Sequence, residues 1–294
     1  MKGIVLAGGS GSRLRPMTNV VCKQLLPVYD KPMIYYPISV LMQAGITDIL
    51  IISTPAALPL ICELLGDGSR LGLNVSYAEQ EEPRGIADAF LVGEKYLSES
   101  PVALVLGDNL FVGEELPRVF GAARGLVESE SAGAVVFGRR VPDPHRYAVA
   151  AFDSLGRVTD LQEKPADPPS DCAVTGLYFY GPDVVEMAKQ VRPSARGELE
   201  ITDVNRLYLQ RGDIRLVHLG EECVWQDLGT PSSLLEAAHL VRELGERGTR
   251  VACVEEIALR MGFIDADTCA EAGLRMRTSP YGRHLMEFAS QWTG

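Results

Sequence analysis

No stretch of this 294-residue sequence approaches the roughly 20 apolar residues that a membrane-spanning helix needs. The first apolar run, residues 4–7, is too short for the core of a secretory signal. Both absences lead one to expect a cytoplasmic protein with no membrane partner. Cysteine pairing is missing as well. Cys22, Cys62, Cys172, Cys223, Cys253 and Cys269 are scattered without a C-x-x-C motif, which argues against structural zinc and against a disulfide scaffold. The histidines (His145, His218, His239, His284) stand apart from one another, so each reads as a packing or surface residue. Positive charge is in deficit: 28 Lys and Arg against 39 Asp and Glu give a net charge of −11. That balance argues against nonspecific binding to nucleic acid or to an acidic membrane surface. It leaves room for an anionic substrate held by a local basic cluster. There is no internal repeat or low-complexity segment, and PADPPSD at residues 165–171 reads as a surface loop.

What is present is an ordinary globular composition, 46% hydrophobic and 23% charged, enough to bury a sizeable core. Strands are predicted over residues 4–7, 48–53, 73–78 and 102–106, with helices over 33–44, 58–65, 86–96 and 116–127. Such alternation predicts a mostly parallel sheet covered by helices on both faces. From about residue 132 strands dominate, over 134–138, 147–152, 158–161, 175–180 and 214–219. Helices over 184–191, 201–211 and 231–244 are interleaved with them. Beyond residue 248 the pattern turns to short helices, over 255–261 and near Leu285.

Ligands of such sheets sit beyond the carboxyl ends of the strands, and two features fall there. The first is LAGGSGSRLRP, residues 6–16, directly after the first strand. Its glycines let backbone N–H groups approach phosphate oxygens, and Arg13, Arg15 and Lys23 add fixed positive charge. It lacks the Lys-Ser or Lys-Thr of a phosphate loop. It also lacks the third glycine of the dinucleotide fingerprint, where Leu14 stands, and Ser53-Thr54-Pro55 closes the second strand without an acid. A dinucleotide-dependent oxidoreductase therefore fails on spacing. The second feature is Asp108 in LVLGDNLF, at the end of a buried strand. Asp227 in VWQDLGTP is another acid, ahead of a turn and a helix. Magnesium is commonly held by one or two carboxylates plus substrate phosphates. Taken alone, the two acids read equally well as a turn residue and a helix-cap neighbour, and spacing cannot bring them together.

Longer strings carry a resemblance. KGIVLAGGSGSRLRP, KQLLPVYDKPMIYYPISVLMQAGI, LVLGDNLF, AVTGLYFY, RGELEITDVNRLYL and W-x-D-x-G-T around Asp227 span nearly the whole chain. Together they resemble the glucose-1-phosphate thymidylyltransferases, which belong to the sugar nucleotidyltransferases. The resemblance implies an α/β, Rossmann-like three-layer fold with a mixed, mostly parallel central sheet and a small C-terminal helical lobe. Residues 1–248 would form the catalytic domain, with a nucleotide-binding half over about 1–131 and a sugar-binding half over about 132–248. Residues 249–294 would serve packing or assembly, and the resemblance implies a homotetramer.

It also implies a role for each matching position. Leu6, Gly8, Gly9, Gly11, Ser12 and Gln24 would surround the nucleotide, with Arg13 and Lys23 as the catalytic cations on its phosphates. Gln80 would read the pyrimidine edge and Gly85 would let the base pack closely. Asp108 and Asp227 would hold Mg2+. Tyr147, Glu163, Lys164, Val174, Gly176 and Arg196 would line the sugar phosphate site. The implied substrates are dTTP, or UTP, and glucose 1-phosphate, giving dTDP-glucose and pyrophosphate for deoxysugar biosynthesis. A phosphate monoester has a second pKa of about 6, so the attacking oxygen is already anionic and no general base is needed. Glu198, just ahead of a helix, reads as structural.

Three positions depart from the family pattern. Ala148 follows Tyr147 where glycine is expected. Asp88 stands in place of glutamine, on a helix face expected to point outward. Glu221-Glu222 replace Arg-Gly in a region that the family uses as a second nucleotide-sugar site for feedback inhibition. Glu255, Glu256 and Arg260 still match that site. Weak or absent feedback by dTDP-rhamnose is the expectation.

Overall fold

The structure, a computed structural model, describes every residue except Ser10 and Gly294. Strand β1 (Lys2–Ala7) leads into the glycine-rich turn and on to the short paired strands β2 (Pro27–Val28) and β3 (Lys31–Pro32). Helix α1 (Tyr35–Gln43) is apolar on nearly every side, and its residues from Tyr36 to Met42 are buried, as expected of a helix sunk in the core. Then follow β4 (Asp48–Ser53), α2 (Leu58–Leu65), β5 (Asn74–Glu79), α3 (Asp88–Val92), α4 (Glu94–Leu97), β6 (Val102–Leu106), β7 (Asn109–Val112) and α5 (Leu116–Glu128). The second half runs β8 (Ala134–Arg140), β9 (Ala148–Phe152), β10 (Val158–Glu163), β11 (Cys172–Tyr180), α6 (Val184–Gln190) and α7 (Ile201–Gln210). After these come β12 (Ile214–His218), β13 (Val224–Asp227), α8 (Pro231–Glu246), α9 (Val254–Arg260), α10 (Ala266–Arg275) and α11 (Pro280–Gln291). No described helix is long and apolar enough to cross a membrane.

The main sheet has the order β10-β9-β11-β6-β1-β4-β5, with β8 and β12 branching from β11. β1, β4, β5 and β6 run parallel, while β11 is antiparallel to β6, β8 and β9. Alternation along the strands sends successive side chains to opposite faces. Val5, Ile49, Ile51 and Val105 join a core with Leu41 of α1, Ile61 of α2, Phe120 of α5 and Ile257 of α9. Ile4, Leu50, Ile52 and Leu104 join a second core with Phe90 of α3, Val184 of α6 and Tyr208 of α7. The three-layer α/β architecture follows from that partition. Phe111, Phe120, Phe137 and Phe179 tie α5 to the sheet edge-to-face, with centroids 6.1, 5.6 and 5.7 Å apart. Each such contact adds about 0.5–1.5 kcal/mol beyond burial.

Three features differ from the sequence expectation. The helix expected over 86–96 is two short helices meeting at Gly93, where an added Cβ would meet Leu50 Cδ2 at 3.2 Å and Ala89 O at 3.0 Å. The bare glycine thus lets this segment settle against the sheet. β7 and β13 pair antiparallel in a separate two-stranded ribbon, which no local pattern announced. Helix α10 emerges from a small-residue segment, with Asp265 accepting from the Thr268 N–H at 2.8 Å as its N-terminal cap.

Candidate active site

Because β1, β4, β5 and β6 are parallel, Gly8, Ser53, Gln80 and Asp108 gather at one edge of the sheet. Gly11 adopts φ +60, and an added Cβ would stand 2.9 Å from Thr18 Cγ2. The Thr18 hydroxyl donates to the Gly11 carbonyl at 2.7 Å and so pins the turn. Gly9 lies against the end of Lys23, whose ammonium would be 3.2 Å from a Cβ there. Gln24 is buried beneath Gly107, and no partner for its Oε1 is found among the described residues.

Lys23 Nζ donates to Asp108 Oδ2, and Asn109 Nδ2 donates to Asp108 Oδ1 at 3.2 Å. Burial pushes the Asp108 carboxyl up, but the Lys23 charge and these hydrogen bonds outweigh it and hold the pKa below its ordinary value. The β7–β13 ladder aligns Asp227 with Asn109 and delivers the second acid beside the first. Arg13 NH2 stands 3.6 Å from Asp227 Oδ2. Burial, then repulsion from Asp108, raises the Asp227 pKa despite Arg13. Asp108 just beyond β6 and Asp227 at the end of β13 are near enough for one charge to act on the other, and together they offer the oxygen donors that a hard divalent cation takes.

Beyond these acids opens a cavity of about 590 Å³, within the range of small-molecule sites. Its lining includes Ser12, Arg13, Asp108 and Asp227 together with Tyr147, Glu163, Lys164, Val174, Gly176 and Arg196. β11 reaches this edge because it runs antiparallel to β6, and a bulge between Val174 and Tyr178 disturbs its register with β8. At Gly176 an added Cβ would stand 2.5 Å from Asn109 Oδ1, so any larger residue there must displace the Asn109 side chain. Lys164 follows β10 at φ 43, a left-handed conformation costly for lysine. Glu163 accepts from Thr202 Oγ1 at 2.6 Å and from Arg196 NH2 at 3.3 Å. Arg196 also grips Glu200 through two bonds of 2.9 Å. Burial works against the guanidinium charge, but Glu200, Glu198 and Glu163 raise its pKa.

These ten predicted residues line one cavity. Leu6, Gly8, Gly9, Gly11, Lys23, Gln24, Gln80 and Gly85 are not among its lining residues; Lys23 and Gln24 pack against Asp108 and Gly107 beyond β6, and Gln80 lies against Gly8 beyond β1. Several contributors escaped the sequence reading. Asn109 accepts from Trp225 Nε1 at 2.6 Å, and the Trp225 ring lies 5.0 Å from that of Tyr147. Arg146 lines the cavity too, and its guanidinium lies 5.4 Å from the Tyr147 ring. Glu198 is a correction: it lines the cavity and stands 3.4 Å from Arg196. Asp88 is another, since it is buried and accepts from Gln80 rather than facing outward. The helix carrying it is too short and too deeply docked for its spacing to indicate an exposed face. His284 is not isolated either, because Cys253, Glu256 and His284 offer ligand atoms within 4.8 Å of one another. Glu256 there is committed to Arg260 at 2.8 Å and His284 at 2.7 Å.

A family model described as nucleotidyl transferase matches residues 2–243, a stretch that holds every residue of this site. The chain belongs to the nucleotidyl transferase family. Within that family, the glucose-1-phosphate thymidylyltransferase of Xanthomonas campestris pv. campestris is 50% identical over 291 residues, covering 99% of this chain and 97% of that one. The protein of the same name from Mycobacterium tuberculosis is 48% identical over 288 residues, covering 98% of each. A Bacillus anthracis structure described as a glucose-1-phosphate thymidylyltransferase, in complex with sucrose, aligns with TM-score 0.75 at 40% identity. It covers 83% of this chain and 96% of that one. A UDP-glucose pyrophosphorylase complexed with UDP-glucose aligns with TM-score 0.73 at 26% identity, over 82% and 98%. This nucleotidyl transferase is thus an enzyme with the same mixed α/β fold as those solved structures.

Proposed function

We propose that the chain transfers the thymidylyl group of dTTP to α-D-glucose 1-phosphate, giving dTDP-glucose and pyrophosphate. The observation that carries this reading is that two unlike groups of residues line one cavity. Ser12, Arg13 and the paired carboxylates suit a triphosphate, and Glu163, Lys164 and Arg196 suit a sugar phosphate. A phosphate oxygen of the sugar attacks the α-phosphorus in line, a new P–O bond forms, and the bond to the β-phosphate bridging oxygen breaks. The attacking oxygen is already anionic at neutral pH. What the chain supplies is alignment and charge stabilisation.

Gly8, Gly9, Gly11 and Ser12 cradle the phosphates, with Leu6 and Gln24 beneath the nucleotide. Arg13 and Lys23 offset charge on the triphosphate as pyrophosphate leaves. Gln80 meets the pyrimidine edge, and Gly85 leaves room for the base. Glu163 accepts from sugar hydroxyls, and Lys164 and Arg196 hold the sugar phosphate. Tyr147, Val174 and Gly176 shape the rest of the sugar phosphate site. Asp108 and Asp227 are the residues that would hold Mg2+, which when bound would screen the triphosphate and the leaving charge. The reading includes a cytoplasmic homotetramer, with residues 249–294 in its assembly.

Pyrophosphate release is measured across a grid of triphosphates and sugar 1-phosphates, with and without Mg2+. The expected maximum is dTTP with glucose 1-phosphate, and activity only with the metal. A maximum at another pair refutes the substrate assignment. Activity that survives Asp108→Asn together with Asp227→Asn refutes the metal assignment.

A further inference from the structure

One buried contact at the nucleotide end has no part in the phosphoryl chemistry. Gln80 follows β5 and is 5% exposed; Asp88 opens α3 and is 6% exposed. Gln80 Nε2 donates to Asp88 Oδ2 at 2.8 Å. The amide oxygen is directed at the glycine turn instead, since a Cβ built on Gly8 would stand 2.5 Å from Gln80 Oε1. The main chain fixes both partners. The Gln80 N–H donates to the Ser53 carbonyl at 2.8 Å, and the Ala87 N–H donates to the Leu199 carbonyl at 3.1 Å.

The chemistry of the pair is asymmetric. A carboxylate offers acceptors only, whereas a primary amide has a donor end and an acceptor end. Only the NH2 end of Gln80 can therefore be satisfied against Asp88. Flipping the amide would set Oε1 against a carboxylate oxygen in a place where water cannot compensate. Were position 88 an amide, both side chains could flip together and keep a hydrogen bond in either sense. The face that Gln80 turns toward Gly8 would then be donor or acceptor according to the ligand. An acid at position 88 removes that freedom.

We propose that Asp88 is a positioning residue that locks Gln80 as an acceptor and thereby selects nucleobases carrying an imide N–H, thymine and uracil, over cytosine. The proposal rests on the reading that Gln80 meets the pyrimidine edge. Thymine and uracil present N3–H to an acceptor. Cytosine presents the N3 lone pair at that position, so acceptor meets acceptor. An unmatched buried polar pair of this kind lowers kcat/KM by roughly 10- to 100-fold. The contact is with a part of the substrate that does not react, so it acts on binding in the ground and transition states alike.

The test compares kcat/KM for dTTP and dCTP in the parent chain, Asp88→Asn and Gln80→Ala, with thermal unfolding recorded for each. Asp88→Asn is nearly isosteric and restores the amide's freedom to flip. The expected result is a drop of about tenfold or more in the dTTP/dCTP ratio for Asp88→Asn, expressed in KM with kcat little changed. A merely structural role would lower both nucleotides in proportion and leave the ratio intact, which overturns the proposal. Where Asp88→Asn yields too little folded protein, Asp88→Gln and calorimetric Kd values for dTTP and dCTP read the same ratio. A ratio kept in Asp88→Asn but lost in Gln80→Ala overturns the role of Asp88 and leaves Gln80 as the base reader. A ratio kept in both variants places the base elsewhere and overturns the underlying reading as well.

Discussion

The same substitution, glycine to alanine, has opposite consequences at two positions of this fold. Gly85 holds φ +105, and an added Cβ would collide with the Leu199 backbone, its nitrogen 2.6 Å and its carbonyl carbon 2.9 Å away. Leu199 is clasped there by two main-chain bonds: its N–H donates to the Arg84 carbonyl at 2.6 Å, and its carbonyl accepts from the Ala87 N–H at 3.1 Å. Gly85→Ala must hold a left-handed backbone at about 1–3 kcal/mol and strain or break two hydrogen bonds of about 0.5–1.5 kcal/mol each, together about 2–6 kcal/mol. Gly121 sits on the exposed face of α5, and an added Cβ meets nothing within 4 Å. There alanine gains roughly 0.5–1 kcal/mol of helix propensity. At about 2 °C per kcal/mol for a chain of this size, Gly85→Ala lowers Tm by roughly 4–12 °C and Gly121→Ala raises it by one or two. The chain can escape part of the cost by letting residues 84–87 peel from Leu199, which moves the loop beside Gln80. A raised KM for dTTP accordingly accompanies whatever stability is retained. Differential scanning fluorimetry and steady-state kinetics on the two variants read both effects. Gly85→Ala with unchanged Tm and unchanged KM refutes the reasoning.

Other outcomes are expected. Glu255 is buried and accepts from the Tyr281 hydroxyl; burial raises its pKa above the ordinary 4.5, more than Tyr281 and Lys31 lower it. Its contribution to stability is therefore complete below 4.5 and is lost as pH rises through the higher folded value. Glu255→Gln escapes that loss, so its Tm advantage over the parent chain should widen from acid to neutral pH; a constant gap across the titration argues against it. Ala148 lines the cavity next to Tyr147. Ala148→Gly removes one methyl and should raise kcat/KM for bulkier sugar 1-phosphates relative to glucose 1-phosphate by up to about tenfold, and an unchanged sugar profile would count against crowding there. A second cavity of about 600 Å³ has Glu114, Glu115 and Glu222 on its wall with Arg250. Three carboxylates against one guanidinium disfavour a diphosphate, so dTDP-rhamnose should inhibit weakly, and Glu222→Arg should strengthen inhibition. Strong inhibition of the parent chain at low inhibitor concentration would defeat that expectation.

Local chemistry made much of this molecule legible. The parallel half of the sheet was readable because buried strands and amphipathic helices alternate there with glycine or polar breaks, and the glycine turn and Asp108 fell at strand ends for the same reason. Asp227 was different. Its neighbour is chosen by the pairing of β7 with β13, and nothing in VWQDLGTP encodes which distant strand it meets. Trp225 and Asn109 stayed hidden for the same cause, since their hydrogen bond crosses 116 residues of sequence. Asp88 was misjudged because a five-residue helix has too few turns for periodicity to assign faces. Glu198 was assigned to its helix alone, whereas its partner Arg196 also belongs to Glu163 and Glu200.

The β7–β13 ribbon has a consequence in time as well as in space. The parallel strands β1, β4 and β5 are close in sequence and can assemble early, whereas the ribbon closes a loop of more than a hundred residues and pays that entropy late. Until it closes, Asp108 has Lys23 for company but no second acid. A partly folded or nascent chain can thus possess the glycine turn and lack the paired carboxylates. On refolding from denaturant, recovery of helical circular dichroism should run ahead of recovery of pyrophosphate release. The distance between those two curves measures how long the chain exists as a fold without a reaction.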